Sequence, residues 1–122
     1  MLISLVVPSY NEEEALPLFY KEAARVAAEM EKSHGAAFEF IFVDDGSKDK
    51  TLAVARRLHA EDARVRYVSF SRNFGKEAAI YAGLQAARGD YVATLDADLQ
   101  DPPALLPQML DALLTGDYAC AA

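Results

Sequence analysis

The chain has 122 residues, of which 52% are hydrophobic and 25% charged, values typical of one folded domain and not of a disordered chain. Its formal charge of -7 excludes the surplus of Lys and Arg that sequence-independent nucleic-acid binding needs, so no nucleic-acid partner is expected. Cys120 is the only cysteine, so no internal disulfide can form. No apolar run approaches the roughly 18 to 20 residues that cross a bilayer, and we expect this chain to be soluble.

Short apolar runs alternate with helical patterns along the chain. The runs begin with "LISLVVP" and continue with "FEFIFVD", "VRYVSFS" and "DYVATLDAD". The sequence predicts strands over about 2–7, 38–44, 65–71 and 90–98, and helices over about 16–33, 50–61, 76–87 and 102–114. Buried strands in strict alternation with helices predict an α/β fold, a mostly parallel sheet with helices on both faces.

An unusual polar segment follows each predicted strand. In chain order the four segments are "PSYNEEE", "DDGSKD", "SRNFGKE" and "DADLQDPP". Ligands of open α/β sheets bind beyond the carboxyl ends of the strands. We therefore expect the four segments to share one edge of the sheet and to form a binding site.

The segment "DADLQ" is a candidate metal site. In an extended chain positions i and i+2 point to the same side, so Asp96 and Asp98 can share one cation, and Gln100 can add a neutral oxygen. Hard oxygen ligands favour Mg²⁺ or Mn²⁺. A solvated strand end or a helix cap is the alternative interpretation of the same pattern.

Two adjacent carboxylates, Asp44 and Asp45, follow the second strand. A carboxylate at a strand end can accept hydrogen bonds from ribose hydroxyls or from a base N–H. The alternative is a turn in which Gly46 reverses the chain and Ser47 or Asp49 caps the next helix. For Asp49 we prefer the cap, whereas a single cap does not need two adjacent anions.

The segments after the first and third strands supply further candidates. Tyr10 offers a ring on which a base can stack, and Asn11 and Glu12 are polar groups beside it. Arg72 and Lys76 flank a glycine where a helix begins, so two cations and free backbone N–H groups could face an anion. Ordinary surface charge is the alternative for Arg72.

Together the segments "VVPSYNEEEAL", "FIFVDDGSKDKT" and "VSFSRNFGKEAAIYAGLQAARGDYVATLDADLQDPP" resemble the N-terminal half of family 2 glycosyltransferases of the GT-A fold. Within that family the likeness is to the polyprenyl-phosphate type, such as bactoprenol glucosyltransferases and dolichol-phosphate mannosyltransferases. The resemblance implies a Rossmann-like nucleotide-sugar-binding unit over residues 1–122, the N-terminal part of a larger protein.

The resemblance also implies roles for individual residues. The nucleotide pocket would be lined by Pro8, Tyr10, Asn11 and Glu12, and the base or ribose would contact Asp44 or Asp45. The nucleotide or its diphosphate would lie near Asn73, Gly75 and Lys76. The metal would be bound by Asp96, Asp98 and Gln100. Asp96 would also border the nucleotide-sugar. No residue of this chain is assigned as catalytic, because no convincing general base is present.

The implied reaction is transfer of a sugar from a UDP-sugar or GDP-sugar, with inversion, to a polyprenyl phosphate. The full-length protein would act at the cytoplasmic face of the membrane, through parts that this chain lacks, and the fragment would be inactive alone. A glycosyltransferase of the same fold with a carbohydrate acceptor remains an alternative. A binding-only relative that has lost catalysis is a second alternative. A phospho-receiver domain is the non-enzyme alternative, although its acidic pair should follow strand one. The motifs G-x-G-x-x-G and G-x-x-x-x-G-K-[ST] are absent.

Overall fold

A computed structural model describes residues 1–98 and 102–114. Its elements, in chain order, are β1 (Leu2–Ser9), α1 (Ala15–His34), β2 (Ala37–Asp44), α2 (Thr51–Glu61), β3 (Val65–Ser69), α3 (Lys76–Ala86), β4 (Tyr91–Thr94), a 3₁₀ turn (Pro103–Leu105) and α4 (Leu106–Leu114). Gln100 and Cys120 lie outside the described residues. The described elements follow the predicted alternation of strands and helices.

The four strands form one parallel sheet in the order β3-β2-β1-β4. Helices α1 and α2 contact the sheet on one side, and α3 packs on β1 and β2 from the other. The predicted α/β fold with helices on both faces of a parallel sheet is thereby confirmed. Its connections bring the carboxyl ends of the strands to a common edge.

The strand residues divide between two apolar clusters according to the pleat. Leu5 and Phe40 belong to the cluster that contains Phe19 of α1, whereas Val6 and Ile41 belong to the cluster that contains Ala79 of α3. Because successive side chains of a strand point to opposite faces, β1 and β2 are buried on both sides. This explains why their sequences are almost continuously apolar.

Two strands differ in length from the prediction, β1 being longer and β4 shorter, and the direction of the missing N–H of Pro8 accounts for both. β1 was predicted to end at the proline, but it continues to Ser9 and pairs with β2 along its whole length. Even-numbered residues of β1 direct their backbone groups towards β4, as the hydrogen bond from Leu95 N–H to Val6 O shows. Pro8 has no N–H to give on that side. Pairing with β4 therefore stops after Thr94, earlier than predicted, and the chain leaves the sheet before Asp96.

Among residues 1–98 and 102–114, no helix has the length and apolar character needed to cross a membrane.

Candidate donor and metal site

A cleft of about 320 Å³ lies at the carboxyl edge of the sheet, between the ends of β1, β2 and β4 and the start of α3. Its volume is at the lower end of the range of about 300–1,000 Å³ that ligand pockets occupy. It is lined by Pro8, Ser9, Tyr10, Glu12, Asp45, Lys76, Asp96, Ala97 and Asp98. Seven of these nine were predicted from the sequence to form the site, and the structure brings them together.

The loop after β1 is fastened to the loop after β2. Asn11 has a positive φ of 53°, a conformation that Asn tolerates better than most residues. Its N–H donates to Ser47 Oγ at 2.9 Å, and its Oδ1 accepts the N–H of Lys48 at 2.9 Å. The next N–H, of Glu12, donates to Thr51 Oγ1 at 2.8 Å. These contacts position the neighbouring cleft residues, and Asn11 itself is not among the residues that line the cleft.

Asp49 accepts a backbone hydrogen bond at the start of α2, the structural role that the sequence analysis preferred for it. Its carboxylate accepts the N–H of Thr51 at 2.9 Å, at the start of α2. The same side chain also accepts the N–H of Glu13 at 3.3 Å. A single carboxylate thus satisfies backbone groups of two loops and adds a further link between them.

Asp44 and Asp45 are both only 4% exposed, yet they do different things. Asp44 Oδ1 accepts the N–H of Ser47 at 3.1 Å, within its own turn, and Asp44 does not line the cleft. Asp45 does line it. Of the two carboxylates predicted to contact a base or ribose, Asp45 is therefore the one that the structure places at the cleft.

Asp45 also holds the segment that leads into α3. Its carboxylate accepts the N–H of Phe74 at 2.8 Å and of Gly75 at 3.1 Å, and Asn73 Nδ2 at 3.2 Å. The prediction that free backbone N–H groups here could face an external anion is wrong for Phe74 and Gly75, because a carboxylate of the chain itself takes them. Asn73 and Gly75 are not among the residues that line the cleft.

Gly46 allows this contact between loops. It has a φ of +68°, and a Cβ built on it would lie under 3.0 Å from backbone atoms of Arg72 and Asn73. Only glycine combines this conformation with such a close approach. The loops after β2 and β3 are therefore packed backbone against backbone at the side of the site.

Negative charge is concentrated at the mouth of the cleft. Burial raises the pKa of Glu12, and the carboxylates of Asp98, Asp49 and Asp96 raise it further. A group whose charged form is disfavoured by several like charges marks a place where a cation would be stabilised. The cluster includes both aspartates of the predicted metal motif.

Lys76, the first residue of α3, forms an ion pair with Asp96. Its Nζ lies 2.7 Å from Asp96 Oδ1, and the two side chains are 60% and 29% exposed. Lys76 was predicted to lie near a diphosphate and Asp96 at a metal, and in the structure these two side chains contact each other. Arg72, the other predicted cation, instead places its guanidinium 4.8 Å from the centre of the Phe74 ring and does not line the cleft.

The carboxylate oxygens at the cleft are of the type that hard divalent cations prefer. Within the described ranges, no three His, Cys, Asp or Glu side chains are arranged to hold a metal by themselves. Mg²⁺ is usually held by one or two carboxylates together with substrate phosphates and water. Asp96 and Asp98 meet that requirement at the cleft, while the predicted third ligand, Gln100, lies outside the described residues.

Residues 4–122 match the family described as Glycosyl transferase family 2. The chain belongs to this family. Similar family members include the prophage bactoprenol glucosyl transferase homolog of Escherichia coli (strain K12), 45% identical over 95% of this chain and 37% of that protein. Another is the undecaprenyl-phosphate 4-deoxy-4-formamido-L-arabinose transferase of Pseudomonas aeruginosa (strain LESB58), 40% identical over 94% of this chain and 33% of that protein.

Solved structures of glycosyltransferases share the fold. The mannosyltransferase PcManGT from Pyrobaculum calidifontis, in complex with GDP-Man and Mn²⁺, superposes with a TM-score of 0.74 at 24% identity, over 91% of this chain and 32% of that one. S. aureus TarS 1-349 in complex with UDP-GlcNAc superposes with a TM-score of 0.72 at 23% identity, over 95% and 32%. The GT-A fold expected from the sequence is confirmed. The family 2 chain described here spans about a third of the length of the curated relatives it matches.

Sequence reasoning missed two cleft residues, Ser9 and Ala97. Each lies between two predicted residues, Ser9 between Pro8 and Tyr10 and Ala97 between Asp96 and Asp98. Ser9 is buried and its hydroxyl donates to Val7 O at 3.3 Å. The signal that could have found them is position in the chain, because neither residue type marks a site by its chemistry.

Proposed function

We propose that this chain is the donor-binding part of an inverting glycosyltransferase that transfers a sugar from a UDP-sugar or GDP-sugar to a polyprenyl phosphate. The observation that carries the proposal is the cleft at the carboxyl edge of the sheet, where Tyr10, Lys76 and the Asp96–Asp98 pair meet. The names of the similar family members support a polyprenyl-phosphate acceptor. In the proposal residues 1–122 form one nucleotide-sugar-binding domain, and the whole protein works at the cytoplasmic face of the membrane.

The donor would lie across the cleft with its base near Tyr10 and its diphosphate near Lys76. Tyr10 is 41% exposed at the cleft, so its side chain is accessible to a base that would stack on it. Asp45 lies at the cleft wall, and its carboxylate, which already accepts from Asn73, Phe74 and Gly75, would accept one further hydrogen bond from a ribose hydroxyl or a base N–H. Pro8 and Glu12 complete this wall.

Asp96 and Asp98 would hold Mg²⁺ or Mn²⁺ between themselves and the donor. When bound, the cation supplies Lewis-acid stabilisation of the charge that develops on the departing diphosphate. The carboxylates contribute by fixing its position. The positive end of α3 and the Lys76 ammonium contribute in the same direction, because both favour negative charge at this edge.

In the transfer an oxygen of the acceptor phosphate attacks the anomeric carbon from the side opposite the diphosphate. The new bond joins that oxygen to the carbon, and the bond from the carbon to the diphosphate oxygen breaks with its electron pair going to the diphosphate. The products are the nucleoside diphosphate and a polyprenyl phosphosugar with inverted configuration. A phosphate acceptor is already ionised near neutral pH, so this step needs no general base.

Calorimetric titration of the chain with UDP and with GDP, each with and without Mn²⁺, tests the proposal. We expect one nucleotide to bind, to bind more tightly with Mn²⁺, and to lose the Mn²⁺-dependent gain in Asp98→Asn. Glu31→Gln is the matched control, since it removes the same charge from an exposed position on α1, away from the cleft. It should bind like the unmodified chain.

Two results would count against the proposal. Absence of binding by either nucleotide to a folded chain would show that the cleft is not a donor site. Equal loss of binding in Asp98→Asn and Glu31→Gln would reduce the effect of Asp98 to net charge.

A further inference from the structure

We propose that Lys76 is a positioning residue that serves as an exchangeable counter-ion: it yields Asp96 to the divalent cation and then turns its ammonium to the donor diphosphate. Cation and nucleotide would thereby bind as a coupled pair. The inference rests on the proposed function, since it concerns how the same site takes up its two ligands.

The ion pair occupies one of the two carboxylate oxygens that Asp96 can offer to a cation. Lys76 Nζ lies 2.7 Å from Asp96 Oδ1, and an ammonium at this distance cannot remain while a dication approaches the same oxygen without strong repulsion. A cation at Asp96 and Asp98 therefore competes directly with Lys76. The energy of a partly exposed pair of this kind is small, so the exchange is feasible.

The base of the side chain is fixed, whereas its head is accessible. Asp45 accepts the N–H of Gly75, the residue before Lys76, at 3.1 Å, and Lys76 is the first residue of α3. The side chain itself is 60% exposed. A lysine presents its charge on a flexible four-carbon stem, so the ammonium can change partner without movement of the helix.

The charge balance of the cleft gives the exchange a direction. Among the described residues that line the cleft, four carry carboxylates, Glu12, Asp45, Asp96 and Asp98, and Lys76 is the one that carries a cation. A diphosphate entering this surface is repelled until further positive charge is present. A divalent cation supplies that charge, and by displacing Lys76 from Asp96 it also releases the ammonium for the phosphates.

Removal of the ammonium should therefore have opposite effects on the two ligands. Mn²⁺ should bind more tightly when nucleotide is absent, because its competitor at Asp96 is gone. The nucleoside diphosphate should bind more weakly in the presence of Mn²⁺, because a charge-assisted contact is lost. A residue with a merely structural role would weaken both.

The test measures Mn²⁺ binding to the chain from the electron paramagnetic resonance signal of free Mn²⁺, without nucleotide, and then UDP and GDP affinity at saturating Mn²⁺. Lys76→Met should tighten Mn²⁺ binding by about two- to fivefold, the range that corresponds to a partly exposed ion pair. It should weaken binding of the preferred nucleotide by about tenfold or more. Lys21→Met, which removes the same charge from an exposed position in α1, should change neither by as much as about twofold, as is usual for surface substitutions.

Lys76→Arg retains the charge and should keep Mn²⁺ affinity close to that of the unmodified chain. Unchanged or weaker Mn²⁺ binding in Lys76→Met would overturn the inference, and so would an equal tightening in Lys21→Met. If the unmodified chain binds nucleotide with Mn²⁺ while Lys76→Met shows no opposite effects, only the exchange fails. If the unmodified chain binds neither ligand, the proposed function fails with it.

Discussion

Buried or clustered carboxylates lie at opposite edges of the sheet, a single one, Glu39, at the amino edge and several at the carboxyl edge, and their surroundings differ. At the amino edge Glu39 of β2 is 3% exposed and is surrounded by donors. Its oxygens accept from Ser4 Oγ at 2.6 Å, from the Arg88 N–H at 2.7 Å and from the Arg66 guanidinium at 3.0 Å. Burial raises the pKa of Glu39, but these hydrogen bonds outweigh it and hold the pKa at about 2.

At the carboxyl edge the carboxylates face one another. The pKa of Glu12 is raised, first by burial and then by Asp98, Asp49 and Asp96. Glu39 is thus neutralised by partners that the fold supplies, whereas among the described residues that line the cleft the carboxylates outnumber the cations. The contrast teaches that a buried carboxylate with a complete set of partners stabilises the fold, and that a cluster without enough cations indicates a binding site.

The largest effect is expected where the carboxyl edge depends on a close backbone approach. Gly46→Ala places a methyl group against the backbone of Arg72 and Asn73 at a φ of +68°. We expect a loss of about 3 kcal/mol or more in the free energy of unfolding, the sum of overpacking and a left-handed backbone. Urea unfolding followed by circular dichroism measures it.

Gly35→Ala is the matched control for this substitution. Its φ is +63°, and a Cβ there meets nothing within 4 Å. It should cost only the backbone term of about 1–2 kcal/mol. Equal losses in the two variants would show that the two loops are not in contact as described.

At the amino edge Glu39→Gln should cost about 2–3 kcal/mol of unfolding free energy near pH 7, since a buried charge with several charge-assisted hydrogen bonds is lost. Because the folded pKa of Glu39, about 2, lies below its ordinary value of 4.5, its ionised form stabilises the fold above pH 4.5. That contribution falls as the pH decreases towards 2. The difference between Glu39→Gln and the unmodified chain should therefore shrink over this interval, as measured by urea unfolding at several pH values.

At the cleft Tyr10→Ala should weaken nucleotide binding by about tenfold, because stacking of a base on an aromatic ring contributes about 1–3 kcal/mol. Its effect on unfolding should be small, since the side chain is partly exposed. Tyr81→Ala, an exposed tyrosine on α3 that does not line the cleft, is the control. Calorimetric titration with the nucleotide that binds compares the two.

Glu12→Gln should change the unfolding free energy least, by no more than about 0.5 kcal/mol at pH 7. The sign should be towards greater stability, because the raised pKa means that the folded state disfavours the charged form. Thermal unfolding of this variant beside Glu39→Gln sharpens the comparison of the two edges. A loss as large as that of Glu39→Gln would contradict it.

The fold was predictable because its signals are local. Each buried strand is an apolar run, and each helix repeats its apolar positions at three and four, so alternation and parallel pairing follow from order alone. The end of β4 was not predicted, because it depends on Pro8 of a different strand. The pairing of two chain segments over such a separation has no local signature.

The site was predictable in its composition more than in its contacts. Tyr10, Lys76, Asp96 and Asp98 were found because unusual polar residues follow each strand. The hydrogen bonds from Phe74 and Gly75 to Asp45 were not predicted, because these partners lie about 30 residues away in the chain. Glu39 was also missed, although a glutamate inside the apolar run "FEFIFVD" is itself a sign that partners must be present.

Chemical-shift mapping of the ¹⁵N-labelled chain tests the central claim, that the carboxyl edge binds a donor and the amino edge does not. UDP and GDP are added with Mg²⁺, and amide shifts are followed at both edges. The account predicts shifts at Tyr10, Asp45, Lys76 and Asp96, with Glu39 and Arg88 unmoved. Shifts centred on Glu39 and Arg88, or no shifts with either nucleotide, would contradict it.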